Sequence, residues 1–300
     1  MLAASRGLIL LPRAVQCNGW SSFRTSALSN SIILWEKDRK SGYKKDNKKT
    51  PKEHIKTGLG MMKDEMKLFG QETVEKFKCE KADMIFGFDQ GEFQKVWSFN
   101  SQEDIEKWTV TSDGDNNEGK SKCLFSLNEN RKGYFHGTID RTVPKTGINK
   151  YAGYCNIKSP RNLRSFQRAD TYDWTGFSHL MIRARGDGRT YILNLGVDSF
   201  FDITWNNIFQ FALFTRGGPY WQTAKIPFSK FFHSAKGRIQ DRQQPLTEIL
   251  HKVTYMSITQ LGEPGDFGLE IDFIAAYCDH MHQEKFAYEM YQTDKGVPGS

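Results

Sequence analysis

Apolar and polar residues alternate along most of this 300-residue chain, and that alternation constrains the fold more than any other feature. Successive side chains of a β-strand point to opposite faces, so a period of two places the apolar residues on one face. From Phe93 onward, short segments of this kind recur with turn residues between them. Eight or more such segments, with few helical stretches, predict an all-β domain built as a sandwich or a barrel.

We place this domain at residues 93–290 and a flexible tail at residues 291–300. The predicted strands are Cys123–Leu127, Tyr134–Ile139, Leu180–Ala184, Tyr191–Val197, Phe209–Thr215, Ala224–Phe228, Val253–Thr259 and Leu269–Tyr277. Asp187-Gly188 predicts a tight hairpin between two of them, because both residues tolerate positive φ. Pro227 lacks a backbone donor, which predicts an edge strand or a bulge there.

Positive charge is concentrated near the N-terminus. Residues 1–50 hold ten Lys or Arg and three Asp or Glu, whereas residues 51–300 hold 32 of each sign. The neutral remainder argues against nucleic-acid binding, which needs clustered positive charge. Residues 1–35 are rich in Arg and Ser and contain no acid, which predicts a mitochondrial transit peptide; the alternative is a tail without a targeting role. Residues 36–51 are predicted to form a disordered basic linker.

Residues 52–92 are interpreted as a helical arm. The apolar residues that share one face of the predicted helix are Ile55, Leu59, Met62, Met66 and Phe69. Gly70 is a natural end for this helix. The apolar face could bind a partner protein or a membrane surface, or it could pack on its own domain. The chain has no run of about 18 apolar residues, so no membrane-spanning helix is expected.

The sequence lacks a recognisable catalytic or metal site. Five widely spaced cysteines contain no Cys-x-x-Cys pair, and no phosphate-loop, dinucleotide or hydrolase motif is present. Glu270 and Asp272 share a strand face and could serve as a glycosidase pair or calcium ligands, or form ion pairs. Asp279, His280 and His282 near Cys278 could contribute to a zinc site, or lie in solvent. We predict no enzymatic activity, no cofactor and no bound metal.

The best recognition candidate is the segment Arg216–Trp221, which we call the rim loop. Its Gly-Gly-Pro sequence predicts a tight exposed turn. Arg216, Tyr220 and Trp221 are of the types enriched in binding hot spots. The aromatics could instead stack on a sugar ring, or Trp221 could fill the core while the loop only turns.

Several motifs resemble those of the complex I intermediate-associated protein family, the thirty-kilodalton mitochondrial assembly factors. The three groups that carry the resemblance most strongly are Gly186-Asp187-Gly188-Arg189, Phe214–Trp221 and Lys225–Phe228. Further matches, in the expected order, are Trp108–Asp113, Gly153–Cys155, Tyr172–Trp174 and Leu269–Ile274. The resemblance covers roughly Val96 to Glu289. One departure is Glu118, which stands where the family usually has the first of two adjacent glycines before Ser121.

The resemblance implies a jelly-roll sandwich similar to galactose-binding-like domains. It also implies a non-enzymatic, chaperone-like scaffold that binds intermediates of respiratory complex I in the mitochondrial matrix, at the inner membrane through its partners. The implied partners are complex I subunits and other assembly factors, including an acyl-CoA dehydrogenase-like flavoprotein. The alternative function is a carbohydrate-binding module or a cryptic hydrolase on the same sandwich.

Overall fold

A computed structural model describes residues 51–78, 88–144, 151–197, 207–235, 238–241 and 243–287. The predicted transit peptide, residues 36–50 of the predicted linker and the predicted C-terminal tail lie outside the described residues, as do Cys17 and Cys79. Two α-helices are described: α1 (Pro51–Lys78) and α2 (Gln102–Glu106). Neither has the length and apolar character needed to cross a membrane.

Two antiparallel sheets make up most of the described chain. The first sheet contains β1 (Phe93–Ser98), β3 (Lys122–Leu127), β4 (Gly133–Ile139), β8 (His179–Gly186), β11 (Gln222–Pro227) and β15 (Gly265–Tyr277). The second contains β2 (Thr109–Ser112), β5 (Tyr154–Lys158), β9 (Thr190–Val197), β10 (Asn207–Phe214), β12 (Phe232–Ala235), β13 (Arg238–Ile239) and β14 (Val253–Leu261). A separate two-stranded hairpin joins β6 (Leu163–Arg164) to β7 (Arg168–Ala169). The predicted all-β jelly-roll sandwich is confirmed.

The core lies between the two sheets, where the alternating apolar residues meet. Leu180, Ile182 and Ala184 of β8 are fully buried, as are Leu193 and Leu195 of β9. Each such Leu or Ile contributes roughly 1.5–3 kcal/mol relative to an exposed position. At one end, the ring of Trp97 makes edge contacts with the rings of Trp108, Tyr172 and Trp174, as close as 5.3 Å between centroids. These aromatic contacts tie β1 to the residue that precedes β2 and to the segment that follows β7.

The strand order confirms one turn-level prediction and contradicts another. Among the described strands, β11 pairs only with β8, so Pro227 lies on an edge strand, where its missing donor costs no ladder bond. The hairpin predicted at Asp187-Gly188 is wrong, because β8 and β9 belong to different sheets. Only Gly188 takes a positive φ (93°), and the chain crosses from the first sheet to the second there. β8 pairs with β11 and β15, and β9 pairs with β10 and β14, so neither strand pairs with the other.

The arm helix also differs from its predicted length. α1 contains the predicted segment Ile55–Phe69 but continues past Gly70 to Lys78. A glycine inside a helix costs about 1 kcal/mol. Contacts beyond it offset this cost: the carboxylate of Glu72 binds the β6–β7 hairpin, and the hydroxyl of Thr73 donates to the carbonyl of Phe69. The prediction that Gly70 ends the helix is therefore wrong, since tertiary contacts continue it.

Candidate partner-binding surfaces

The side chain of Asp187 organises the crossing between the two sheets. One carboxylate oxygen accepts hydrogen bonds from the backbone of Arg189 (3.0 Å) and the hydroxyl of Tyr191 (3.2 Å), and the other accepts from the backbone of Gly268 (2.9 Å). Burial, together with the nearby Asp187 charge, raises the pKa of Tyr191 well above its usual value. Tyr191 is therefore a neutral hydrogen-bond donor, and Asp187 fixes the position of the loops around it.

Hydrogen bonds attach the start of the rim loop to this crossing. The hydroxyl of Thr215 accepts from the backbone of Gly188 (3.1 Å) and donates to the carbonyl of Arg189 (2.7 Å). On the other side, the backbone of Arg216 donates to the side chain of Gln222 (2.9 Å). Two of the three groups with the strongest family resemblance, Gly186–Arg189 and Phe214–Trp221, therefore meet in space at one end of the rim loop, and Gln222 braces the loop from the start of β11.

The three predicted residues of the rim loop differ in exposure. Arg216 is exposed and Tyr220 is 80% exposed. Trp221 is half-buried, and its ring lies 5.7 Å from the guanidinium of Arg183 and 5.4 Å from that of Arg185. Trp221 is thus part of the outer face of the first sheet and does not fill the core. The loop presents one fully available aromatic, Tyr220, beside a ring that stacks on two cations.

The two carboxylates on β15 are held in ion pairs. Glu270 binds the guanidinium of Arg185 at 2.6 Å and accepts from the side chain of Asn128 at 3.1 Å. Asp272 pairs with Lys132 and, at 3.3 Å, with Arg183. The ion-pair alternative raised from the sequence therefore describes both residues. Neither carboxylate has the free oxygens that a calcium ligand or an unpaired glycosidase acid would offer.

An open cleft of about 420 Å³ lies between the rim loop and the outer face of the first sheet. Its lining comes from four segments that are distant in sequence: Tyr134, Arg185–Asp187, Gly218–Pro219, and Asp266–Gly268 with Glu270. The guanidinium of Arg185 also donates to the carbonyl of Pro219 (3.3 Å), so the rim loop forms one wall of the cleft. Sequence reasoning missed Tyr134, Arg185 and Asp266, since nothing local marks strands that become neighbours.

The arm helix contacts the domain through a polar face and leaves its methionines exposed. Glu72 accepts from the backbone and the hydroxyl of Ser165 (2.6 and 2.9 Å) and pairs with Arg168 at 2.5 Å. Glu65 accepts from the backbone of Phe166 (2.6 Å). Burial raises the pKa of Glu72, but the hydrogen bonds from Ser165 and the charge of Arg168 lower it by more, so the net pKa falls below 4.5.

Of the five predicted apolar residues of the arm, Phe69 alone has a described contact with the domain: its ring centroid lies 5.9 Å from that of Phe166. Phe69 is 47% exposed, Met62 49% and Met66 61%. The side chains of Ile55 and Leu59 lie outside the described part. The methionines therefore face solvent, and the interpretation that the whole apolar face packs on its own domain does not hold for Met62 and Met66.

The histidines near the C-terminus of the described chain point to different partners. His280 lies 2.7 Å from the carbonyl of Phe88 and 3.8 Å from the sulfur of Cys278. His282 lies 3.2 Å from the hydroxyl of Ser229. Within the described residues, no group of three or more His, Cys, Asp or Glu side chains could hold a metal ion. The three predicted candidates therefore do not converge on a common point there.

The matching family model covers residues 97–271, and its description is complex I intermediate-associated protein 30. This match spans both sheets, the rim loop and the cleft. The chain belongs to the complex I intermediate-associated protein 30 family. The resemblance predicted from the ordered motifs is thus confirmed.

Relatives in this family match over much of the chain. A Drosophila melanogaster protein named complex I intermediate-associated protein 30, mitochondrial, is 46% identical over 268 residues, covering 88% of this chain and 89% of its own. A mouse protein of the same name is 42% identical over 196 residues, covering 65% of this chain and 59% of its own. A Caenorhabditis elegans protein named as a probable member is 39% identical over 217 residues, covering 71% and 63% respectively.

Solved structures that match this chain include carbohydrate-binding modules. A family 11 module from Clostridium thermocellum, in complex with a mixed-linked tetrasaccharide, has a TM-score of 0.43 at 13% identity and covers 64% of this chain and 98% of the module. A family 29 module has a TM-score of 0.32 at 10% identity and covers 64% and 91%. At such identities and scores these likenesses carry no inference about ligands.

Proposed function

We propose that this chain is a non-catalytic assembly factor that binds intermediates of mitochondrial respiratory complex I through protein–protein contacts. Family membership supports the proposal, because relatives that match most of the chain are named for association with complex I intermediates and for mitochondria. We place the chain in the mitochondrial matrix, at the inner membrane through its partners. The proposed partners are complex I subunits and other assembly factors, including an acyl-CoA dehydrogenase-like flavoprotein.

The observation that carries the binding mechanism is the exposure of Tyr220 on a braced loop. Tyrosine supplies a large contact area at a low cost in conformational entropy, and rigid aromatics beside arginine are typical of binding hot spots. Tyr220 is 80% exposed, and Arg216 lies exposed on the same loop. The hydrogen bonds of Thr215 and Gln222 hold the loop at both ends, so little further ordering is needed on binding.

The arm supplies a second proposed contact. Met62 and Met66 are exposed on the helix while Glu65 and Glu72 hold it to the domain. Methionine side chains are flexible and polarisable, which suits surfaces that adapt to several partners. A rigid platform with an adaptable apolar arm fits a protein that contacts subunits before they are fully assembled.

The proposal can be tested by affinity purification from mitochondria followed by native sizing of the recovered complexes. We expect the tagged chain to recover complex I subunits in large assemblies, and recovery only as a free monomer would contradict the proposal.

Tyr220→Ala should lower recovery about tenfold or more, since hot-spot truncations cost 2 kcal/mol or more. Tyr151→Ala is the matched control, because Tyr151 is also exposed (88%). The double variant Met62→Gln and Met66→Gln tests the arm. Met281→Gln is its control, because Met281 is also exposed (81%) but lies outside the arm.

A further inference from the structure

The cleft beside the rim loop is built from both charged and apolar groups. Its walls include the side chains of Tyr134 and Pro219, which offer apolar contact area, whereas the ring of Phe267 packs in the core on the other face of β15. Its volume of about 420 Å³ lies within the range of about 300–1,000 Å³ that binding pockets commonly have. Three carboxylates, from Asp187, Asp266 and Glu270, line it against one guanidinium. The cleft therefore combines a hydrophobic surface with an excess of negative charge.

Two of the three carboxylates already have cationic partners. Glu270 pairs with Arg185 at 2.6 Å, and Asp187 lies 3.7 Å from the guanidinium of Arg189. Arg185 is fully engaged, because it also donates to the carbonyl of Pro219 and lies over the ring of Trp221. An incoming anion would therefore meet an already neutralised cation and a surplus of carboxylates, and would be repelled.

Asp266 is the carboxylate that the protein leaves uncompensated. One oxygen accepts from the hydroxyl of Thr138 at 2.6 Å, and Asp266 forms no ion pair with any residue in the described part of the chain. The hydroxyl of Tyr134, on the neighbouring strand β4, likewise has no hydrogen-bond partner among the described residues. A bound cation could thus donate a charge-assisted hydrogen bond to Asp266, while its apolar stem packs along Tyr134 and Pro219.

We propose that this cleft binds an arginine or lysine side chain of a partner protein that docks on the rim loop. The proposal rests on the proposed function, since the rim loop forms a wall of the cleft and would place a partner surface directly over it. A buried basic side chain beside Tyr220 would set the register of the complex, because electrostatic complementarity contributes mainly to specificity. Arginine fits best, as its planar guanidinium can meet a carboxylate and an aromatic face together.

The direct test uses the whole purified chain and a minimal probe, acetyl-arginine-amide, followed by NMR of labelled backbone amides at low salt. The amide signals of Gly186, Gly218 and Gly268, which line the cleft, should shift on titration. Acetyl-citrulline-amide has the same shape without the charge, and it should bind about tenfold more weakly, since a charge-assisted bond is lost. Equal shifts with both probes would overturn the proposal. Shifts with a cellotetraose probe but not with the arginine probe would overturn it in favour of a sugar site.

Variants separate the role of charge from the fold. Asp266→Asn keeps the hydrogen bond to Thr138 and removes the charge, so probe binding should fall about tenfold. Asp266→Lys should abolish it. Asp241→Lys is the control, because Asp241 is exposed beyond β13 at the far edge of the second sheet and should leave binding unchanged. Loss of probe binding in the control would contradict a local site.

The same variants distinguish this proposal from the proposed function. If Asp266→Lys and Asp241→Lys both recover complex I assemblies as well as the wild type does, the assembly role stands and the cleft is overturned as a partner site. Absence of those assemblies from the wild-type purification, with arginine-specific NMR shifts still present, would overturn the assembly role and leave the cationic site standing. Both proposals hold only if Asp266→Lys alone loses the assemblies.

Discussion

At the scale of single residues, Asp113 shows how one buried carboxylate can shape a long loop. Its two oxygens accept from the backbone of Ser121 (2.8 Å) and of Gly153 (2.6 Å), which joins the 113–121 loop to the start of β5. Asp113 is fully buried, and Gly119 approaches it so closely that any Cβ there would overlap the carboxylate. The conformation therefore requires glycine at position 119. Glu118, where the family usually has glycine, is accommodated.

We predict that Asp113→Asn lowers the free energy of unfolding by about 1–3 kcal/mol. The amide has nearly the same shape, but one oxygen becomes a donor that faces a backbone donor, and an unsatisfied buried donor costs about that much. Asp241→Asn, at an exposed position, should change stability by less than about 0.5 kcal/mol. Urea unfolding followed by fluorescence measures both values. Equal stability of the two variants would show that the loop does not depend on Asp113.

At the scale of elements, the arm helix is held by charge more than by apolar packing. The Ser165 and Phe166 amides, which donate to Glu72 and Glu65, report directly on whether the arm is docked. Because Glu72 has a depressed pKa when docked, its contribution is present above pH 4.5 and is lost as the pH falls through its lowered value. Protonation of Glu72 should therefore weaken the docking of the arm in acid.

We predict that Glu72→Gln speeds hydrogen exchange of the Ser165 amide at neutral pH by about threefold or more, because a hydrogen bond to a charged group is replaced by a weaker neutral one. In the wild type the same amide should lose protection below pH 4.5, and the variant should lack that dependence. Asp64→Asn, at an exposed position of the same helix, is the control. Identical exchange profiles in the two variants would mean that the arm is held by other contacts.

At the scale of the whole molecule, the buried core belongs to the sandwich alone. The buried apolar residues come from both sheets and their connections, between Trp97 and Cys278 in the sequence, and none comes from the described part of the arm. The arm rests on the small β6–β7 hairpin, outside that core. The sandwich should therefore be the cooperative folding unit.

We predict that a fragment of residues 88–287 unfolds in one cooperative transition, with a midpoint within about 4 °C of that of the full chain. A loss of about 1 kcal/mol, as from a few surface contacts, shifts the midpoint by only about 2–4 °C in a domain of this size. Thermal unfolding followed by near-ultraviolet circular dichroism measures both midpoints. A broad transition or a much larger drop would show that the arm contributes to the core.

The sequence by itself determined the strands, the all-β class and the family. Alternation of apolar residues is a local property, and it located segments such as Tyr191–Val197 and Val253–Thr259 because one face of each had to be buried. The edge position of Pro227 was also predictable from the sequence, since proline lacks a backbone N–H donor wherever it occurs. Ordered motifs located the rim loop.

Only the tertiary structure decided which strands are neighbours and where the charges meet. Asp187-Gly188 looked like a hairpin, but pairing depends on distant strands that bury both β8 and β9. Trp221 became a surface ring because Arg183 and Arg185 lie beneath it on β8. The cleft exists because segments from Tyr134 to Glu270 converge, and Asp266 is left uncompensated only in that arrangement. Pairings of this kind depend on three-dimensional proximity, which no local pattern encodes.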